Sequence, residues 1–184
     1  MTFTKPELIL SCKVKEMSEK FVQMRIKGLV IDPITRMPII VLHDEEKENE
    51  KILPIWVGIF EANAIAIKIE NVESPRPMTH DLLKNTIETL NCKVKQIKID
   101  NLKDNTYYAN IILEQNGKDI SIDSRPSDAI ALALRADSPI MVAHSVLKKA
   151  YAKSPADSEG KMKEEDIKKW FENLSPDIMN KYKM

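Results

Sequence analysis

The sequence predicts a mixed fold of strands and helices, arranged as two similar units of three strands followed by a helix. Residues 26–32 (IKGLVID) resemble residues 94–100 (VKQIKID), and residues 55–69 align with residues 120–134 without a gap. Each of the longer stretches passes from a strand pattern into an alanine-rich helical pattern. We interpret this as a duplicated βββα unit with both helices packed on sheet faces. The alternative is that two amphipathic strand-to-helix passages resemble each other by chance.

The first unit contains three predicted strands and one predicted helix. Residues 26–32 and 39–42 form strands separated by a turn with two prolines, and the charged stretch 43–51 is a solvated hairpin tip. Residues 52–57 form the third strand and lead into a helix over 60–70, where the alanine content favours helix over strand.

A second helix and three further strands follow a proline-containing loop. Thr79 is the predicted N-cap of a helix over 80–90, and Asp81 complements the helix dipole in its first turn. Asn116-Gly117 predicts a two-residue hairpin turn. The three predicted strands of the second unit lie at residues 94–100, 106–115 and 119–123.

The most informative stretch is the polar elbow at residues 123–128 (DSRPSD), which opens the most apolar helix of the chain, from Ala129 to Leu134. A helix that is apolar nearly all round is buried on most sides, so the core holds its first turn rigidly. The free amide groups of such a turn favour anions. We therefore expect part of any polar site at this helix start.

The C-terminal part of the chain completes the predicted organisation. A strand over 140–143 and a helix over 145–151 close one domain that spans residues 23–151. Residues 1–22 are a predicted N-terminal extension. Residues 152–184 are predicted to form a linker followed by an amphipathic helix that docks on the domain or on a partner.

Composition excludes several classes of protein. Lys and Arg number 28 and balance 28 Asp and Glu, so overall charge does not drive binding to nucleic acid or to an anionic membrane. No segment reaches the roughly 20 apolar residues of a membrane-spanning helix, and the N-terminus lacks a signal-peptide pattern. Two widely separated cysteines indicate a reducing compartment, so we expect a cytoplasmic protein. Walker, dinucleotide-binding, CxxC and HExxH motifs are absent from the sequence.

The elbow at 123–128 offers groups that suit a phosphate or a metal ion. Asp123 and Asp128 are candidate oxygen ligands for a divalent cation, and Arg125 is a candidate bidentate phosphate clamp. In the alternative, these residues have only structural roles: Ser124 or Ser127 caps the helix, Asp128 offsets the charge of the helix end, and Arg125 pairs with a nearby carboxylate.

Two further helix starts carry candidate site residues. His80, beside Asp81, is a candidate metal ligand, general base or phosphate contact, and Arg76 lies nearby in sequence. A surface histidine with no such role is the alternative. Glu61 starts the helix of the first unit and aligns with Pro126, so the two helix starts face one site if the units pack about a pseudo-twofold axis. Otherwise Glu61 only complements its helix dipole.

Three aromatic residues bear on possible base stacking. Trp56 lies in an apolar strand and is predicted to be part of the core. Tyr107 and Tyr108 are consecutive in a strand and point to opposite faces, so at most one of them stacks on a base.

Three ordered motifs resemble one known family. Residues 53–66 (LPIWVGIFEANAIA), 75–83 (PRPMTHDLL) and 121–135 (SIDSRPSDAIALALR) resemble, in this order and spacing, the bifunctional nuclease domain family. The resemblance covers roughly residues 24–150. It implies an α+β fold with a mainly antiparallel sheet, a homodimer or small homo-oligomer, and the nuclease action on RNA and DNA for which the plant members are named.

On this resemblance we expect a nuclease that hydrolyses phosphodiester bonds of RNA or DNA with the help of Mg²⁺ or Mn²⁺. The predicted metal ligands are Glu61, Asp123 and Asp128, the predicted catalytic groups are His80, Asp81 and Asp128, and the predicted substrate contacts are Arg76, Arg125 and Ser127. The alternative hypothesis is a non-catalytic module that binds a small anion or another protein.

Overall fold

A computed structural model describes residues 19–32, 35–46 and 51–152 of the chain. The predicted C-terminal helix and most of the predicted N-terminal extension lie outside these residues. Within them, strands and helices alternate in groups. In chain order they are β1 (Phe21–Ile31), β2 (Pro38–Asp44), β3 (Ile52–Trp56), α1 (Ile59–Ile69), α2 (Thr79–Thr89), β4 (Lys93–Lys103), β5 (Thr106–Gln115), β6 (Lys118–Ser124), α3 (Pro126–Ala136), β7 (Ile140–Ala143) and α4 (His144–Ala152).

The strands form one sheet in the order β3-β2-β1-β7-β4-β5-β6. Strands β1 to β3 make one antiparallel meander, and β4 to β6 make a second. The short strand β7 joins the two, antiparallel to β1 and parallel to β4. The α+β fold with a mainly antiparallel sheet is therefore confirmed. Three strands followed by a helix occur twice along the chain, while the origin of this order by duplication stays a prediction.

Several predicted boundaries hold and others shift. Asn116 and Gly117 both have positive φ angles (51° and 75°), as the predicted two-residue hairpin turn requires. Strand β1 begins at Phe21, five residues before the predicted start, because its first residues pair with β7. The N-cap prediction for Thr79 is wrong: Met78 is the N-cap, and Thr79 is the first helical residue.

Helix α3 is the centre of the helical layer. It contacts β4 and β5 of the sheet, and both α1 and α2 pack against it. Its residues from Ala129 to Leu132 are fully buried, which confirms the prediction from its apolar circumference. The alanines have small side chains, so neighbouring helices approach it closely. None of the helices in the described residues has the length and apolar character needed to cross a membrane.

Arg135, in the last turn of α3, ties the three helices together. Its side chain is 3% exposed. Its Nε donates to Asp81 of α2 at 2.6 Å, and its two terminal nitrogens donate to the backbone oxygens of Ala131 and of Ala64 in α1. A buried guanidinium needs such partners, because an unpaired buried charge is strongly unfavourable. This arginine therefore fixes α1 and α2 relative to α3.

The contacts of Asp81 make it part of this anchor. Its second oxygen accepts a hydrogen bond from the N–H of Met78 at 3.0 Å, which fixes the start of α2. Burial alone raises the pKa of the Asp81 carboxyl, but the Met78 N–H and the Arg135 guanidinium outweigh it and hold the pKa below its usual value. Asp81 was predicted to be catalytic, and its observed partners are structural groups.

We predict that Asp81→Asn lowers the free energy of unfolding at pH 7 by about 1–3 kcal/mol, because it removes the charge that Arg135 needs. A lowered folded-state pKa gives stability that is present above the ordinary carboxyl value of 3.8 and is lost as pH falls through the folded value. The difference between wild type and variant should therefore shrink below about pH 4. Urea unfolding at pH 7 and at pH 3 measures it.

Asp119→Asn is the matched control for this prediction. Asp119 forms an ion pair with Lys95 in which both side chains are about half exposed (50% and 44%), and such pairs contribute about 0–1 kcal/mol. The anchoring role would be contradicted if Asp81→Asn lowered the free energy of unfolding no more than Asp119→Asn does. It would also be contradicted if Asp81→Asn lowered the free energy of unfolding equally at pH 7 and at pH 3.

Candidate active site

A chain of polar contacts joins the first turns of α1, α2 and α3. Arg125 immediately precedes α3, and its Nη1 lies 2.8 Å from Oε1 of Glu61 in α1. Its Nε and Nη2 donate to the two carboxylate oxygens of Asp128, at 2.7 and 3.2 Å. Asp128 Oδ1 lies 3.4 Å from Nε2 of His80 in α2. We call Glu61, His80, Arg125 and Asp128 the helix-start cluster.

Local sequence explains how α3 presents its part of the cluster. Pro126 is the first residue of the helix, where its missing N–H costs no hydrogen bond. A proline also disfavours helical geometry in the residue before it, and Arg125 is accordingly extended (φ −67°, ψ 143°). Asp128 is the third helical residue, where the helix dipole favours a carboxylate. Arg125 and Asp128 therefore meet at the end of a helix whose remainder is buried.

Gly58 has a corresponding role at the start of α1. It is the N-cap of the helix, and a Cβ atom at this position would overlap Oε2 of Glu61. A larger residue would have to move the Glu61 side chain, which is 19% exposed and bound to Arg125. The glycine thus allows Glu61 to fold back over its own helix start.

The cluster contains two carboxylates and one guanidinium, so Arg125 offsets one of the two negative charges. Ion pairing with Asp128 and then with Glu61 raises the pKa of the Arg125 guanidinium, which therefore stays protonated. The two carboxylates take three of its five N–H groups. The other two, one on each terminal nitrogen, have no partner among the residues that the structure describes. Because this side chain is 66% exposed, those two N–H groups are accessible to a ligand.

Four of the predicted site residues, Glu61, His80, Arg125 and Asp128, are joined by direct contacts, and Ser127 lies in the adjoining cleft. Three others, Arg76, Asp81 and Asp123, are not joined to them by any hydrogen bond or ion pair that the structure describes. Asp123 lies on β6 opposite Asn110, and no contact within the described ranges joins it to the cluster. Arg76 lines a different cavity of about 380 Å³, together with Asp81 and Arg135.

A cleft of about 280 Å³ opens beside the cluster. Glu61, Arg125 and the buried Ser127 line it, which places the predicted substrate contact Ser127 next to Arg125. Tyr107 forms part of the wall, and burial raises the pKa of its phenol to about 12, so it is neutral at physiological pH. Trp56 forms another part and is 48% exposed, so its prediction as a core residue is wrong.

The contacts of the cluster do not fit a preformed metal site. Within the described part of the chain, His, Cys, Asp and Glu side chains form no group of three or more arranged to hold a metal ion. The predicted ligands Glu61 and Asp128 instead share the guanidinium of Arg125, and both oxygens of Asp128 are already in contact with it. A cation at these carboxylates would lie beside the guanidinium charge of Arg125, which opposes its binding.

The arrangement contains the parts of an acid–base and anion-binding centre. Asp128 is placed to orient the His80 imidazole, whose side chain is 13% exposed, and an oriented imidazole can accept or donate a proton. Arg125 offers a planar pair of donors that matches phosphate oxygens. The positive ends of three helix dipoles meet at the same place.

Sequence reasoning missed three residues that shape this site: Gly58, Trp56 and Arg135. Arg135 had a usable signal, since an arginine in the last turn of an otherwise apolar helix has to find partners in the core. Gly58 lies directly before a helical pattern that carries Glu61 in its first turn, which is a weaker signal. The exposure of Trp56 follows from its place on the edge strand β3.

The chain is similar to proteins from a mycobacterium and from plants. An uncharacterized protein of Mycobacterium tuberculosis (strain CDC 1551 / Oshkosh) is 35% identical over 162 residues, which cover 84% of this chain and 96% of that protein. Bifunctional nuclease 2 of Oryza sativa subsp. japonica is 34% identical over 123 residues, which cover 65% of this chain and 38% of that protein. Bifunctional nuclease 1 of Arabidopsis thaliana is 30% identical over 108 residues, covering 57% and 33%.

The family model of the bifunctional nuclease domain matches residues 40–155, more than half of the 184 residues. The matched region contains α1, α2 and α3 and therefore all four residues of the helix-start cluster. The chain thus belongs to the bifunctional nuclease domain family.

Proposed function

We propose that this protein is a nuclease that hydrolyses phosphodiester bonds of RNA or DNA at the helix-start cluster. Family membership supports the reaction class, and two of the plant relatives are named bifunctional nucleases. The observation that supports the proposal is the chain of contacts from His80 through Asp128 to Arg125, in which an imidazole and a guanidinium share one carboxylate.

In the proposed reaction, His80 moves the proton of the attacking water. With the Nε2–H of His80 directed at Asp128, the lone pair on Nδ1 accepts a proton from water. The water oxygen forms a new bond to phosphorus, the bond from phosphorus to the leaving oxygen breaks, and that oxygen takes up a proton from solvent. Asp128 stabilises the imidazolium that forms, as a carboxylate partner does for a catalytic histidine.

Arg125 has the complementary role of holding the phosphate. Its two uncommitted N–H groups form a fork that binds two phosphate oxygens at once. The charge that develops on these oxygens in the transition state strengthens the interaction. Asp128 and Glu61 hold the guanidinium in place through three contacts, so little orientation entropy is lost when the phosphate binds.

A requirement for Mg²⁺ or Mn²⁺ remains a separate proposal. Divalent ions neutralise phosphate charge in many nucleases, and Glu61 and Asp128 carry suitable oxygens. In the observed contacts these oxygens are bound to Arg125, so the guanidinium charge opposes ion binding. The reaction described above therefore uses no ion.

A non-catalytic module that binds a small anion is the alternative function. The balance of 28 basic and 28 acidic residues favours it, because weak overall attraction for nucleic acid suits a protein with another ligand. Cleavage by the purified protein decides between the two functions.

We predict that His80→Ala lowers the cleavage rate of labelled single-stranded RNA and DNA by about 10²–10⁴-fold, since it removes the proton acceptor. Arg125→Gln should lower it by about 10²–10³-fold, since it removes phosphate donors. The matched control is Arg25→Gln, which changes an arginine on β1 that is 68% exposed and paired with Glu45. Thermal unfolding of each variant verifies that the fold persists. Equal residual cutting by the wild type, His80→Ala and Arg125→Gln would identify a contaminant and support the non-catalytic module.

For the ion, we predict competition with Arg125. Without the guanidinium, Glu61 and Asp128 face each other uncompensated, so Mn²⁺ should raise the melting temperature of Arg125→Gln more than that of the wild type. The double variant Arg125→Gln/Asp128→Asn should lose this additional shift. An equal shift in the wild type and Arg125→Gln would show that ions do not compete with Arg125. Cleavage that is lost in EDTA and restored by Mg²⁺ or Mn²⁺ would establish the ion requirement.

A further inference from the structure

Trp56 presents an aromatic surface whose position is fixed. It is the last residue of β3, and its indole N–H donates to Oδ2 of Asp32 at 3.1 Å. This hydrogen bond satisfies the polar atom of the ring and ties the ring to the segment after β1. The ring is nevertheless 48% exposed. A tryptophan with its N–H bonded and much of its ring in solvent is ready to stack on a planar ligand.

A second aromatic side chain lies at the neighbouring helix start. Phe60 is 85% exposed, and the adjacent Ile59 is 67% exposed. Burial of a phenylalanine stabilises a fold, and the described fold leaves most of the Phe60 ring in solvent. Phe60 directly precedes Glu61 in the first turn of α1, so an exposed aromatic residue belongs to one of the three helix starts.

The cleft beside the cluster combines this aromatic surface with the guanidinium. Trp56 and Arg125 both line it, together with Asn105 and Thr106 of the β4–β5 connection. Its volume of about 280 Å³ is slightly below the range of about 300–1,000 Å³ that is typical of small-molecule pockets. An amide, a hydroxyl, an indole face and a guanidinium are the groups that recognise a nucleobase and its phosphate.

The net charge of the protein indicates whether the phosphates or the bases of a nucleic acid supply most of the binding affinity. With no net charge, few phosphates can be neutralised, so backbone contacts alone bind weakly at physiological salt. Stacking of a base on an aromatic side chain contributes about 1–3 kcal/mol per base and does not depend on net charge. A duplex keeps its bases stacked inside, where Trp56 has no access to them.

We propose that the cleft binds a single-stranded nucleic acid, with one unpaired base stacked on Trp56 and an adjacent phosphate at Arg125. This inference rests on the proposed function and specifies its substrate class: single strands or unpaired regions, rather than duplexes.

Binding measurements with three fluorescein-labelled probes test the inference. The probes are a ten-nucleotide oligothymidylate, the same length of abasic deoxyribose phosphate, and a ten-base-pair duplex. His80→Ala serves as the parent protein so that cleavage does not interfere, and fluorescence anisotropy gives the affinity. We expect the oligothymidylate to bind the parent more tightly than either other probe. This comparison needs no change to Trp56.

Variants of Trp56 then locate the base. Trp56→Leu should weaken oligothymidylate binding by about 5- to 150-fold, to the level of the abasic probe. Trp56→Phe should recover most of the affinity, because it restores an aromatic face. Leu90→Ala, which changes a leucine that follows α2 and is 62% exposed, is the control for loss of an exposed apolar side chain and should bind like the parent.

Equal binding of the oligothymidylate and abasic probes, or no binding of either, would overturn the inference. A second outcome would also overturn it: Phe60→Ala or Trp56→Leu halves the mass measured by light scattering and leaves the affinity for oligothymidylate unchanged. The exposed side chains of Trp56 and Phe60 would then contact a second copy of the chain. The nuclease proposal fails separately: base-dependent binding with no cleavage by the wild type would keep the ligand class and remove the activity. Cleavage by the wild type without base-dependent binding would keep the activity and remove the proposed ligand class.

Discussion

The burial of α3 is the constraint on which the rest of the structure depends. Its central residues are fully buried between the sheet and two other helices, so the helix cannot rotate or shift without opening the core. Its two ends carry the polar groups. Arg135 at the C-terminal end holds α1 and α2 through buried hydrogen bonds. Arg125 and Asp128 at the N-terminal end are held against the starts of the same two helices. Because the core holds the apolar part of α3 rigidly, the polar side chains at its N-terminal end are held in a fixed position as well.

The ion pairs within the helix-start cluster explain how a protein with no net charge can still present a guanidinium to a ligand. Glu61 and Asp128 hold Arg125 and keep it protonated, and the guanidinium still has two N–H groups directed to solvent. A phosphate therefore meets a positive group whose supporting carboxylates lie behind it. An ion bound at these two carboxylates would lie beside the guanidinium charge of Arg125. Affinity for a polymer then has to come from other contacts, for which the exposed ring of Trp56 is available in the same cleft.

Sequence patterns predicted the parts of the fold that depend on local periodicity. The buried helix after the elbow at 123–128 was predictable because its apolar residues cover the whole circumference. Long-range pairings were not predictable. Strand β7 has four residues and joins the two meanders through partners distant in sequence. The apolar pattern of β3 does not show that the strand lies at the edge of the sheet, so Trp56 was assigned to the core. The contact between Asp81 and Arg135 was not predictable either, because Arg135 lies 54 residues later in the sequence.

The central claim is that the three helix starts form one site for a phosphodiester. A crystal structure of the His80→Ala variant with a phosphorothioate oligothymidylate tests it most directly, because it places the ligand without relying on turnover. The account predicts a phosphate within hydrogen-bond distance of both terminal nitrogens of Arg125 and a base against the ring of Trp56. An oligonucleotide bound elsewhere, with no phosphate at the terminal nitrogens of Arg125 and the cleft filled only by solvent, would contradict it.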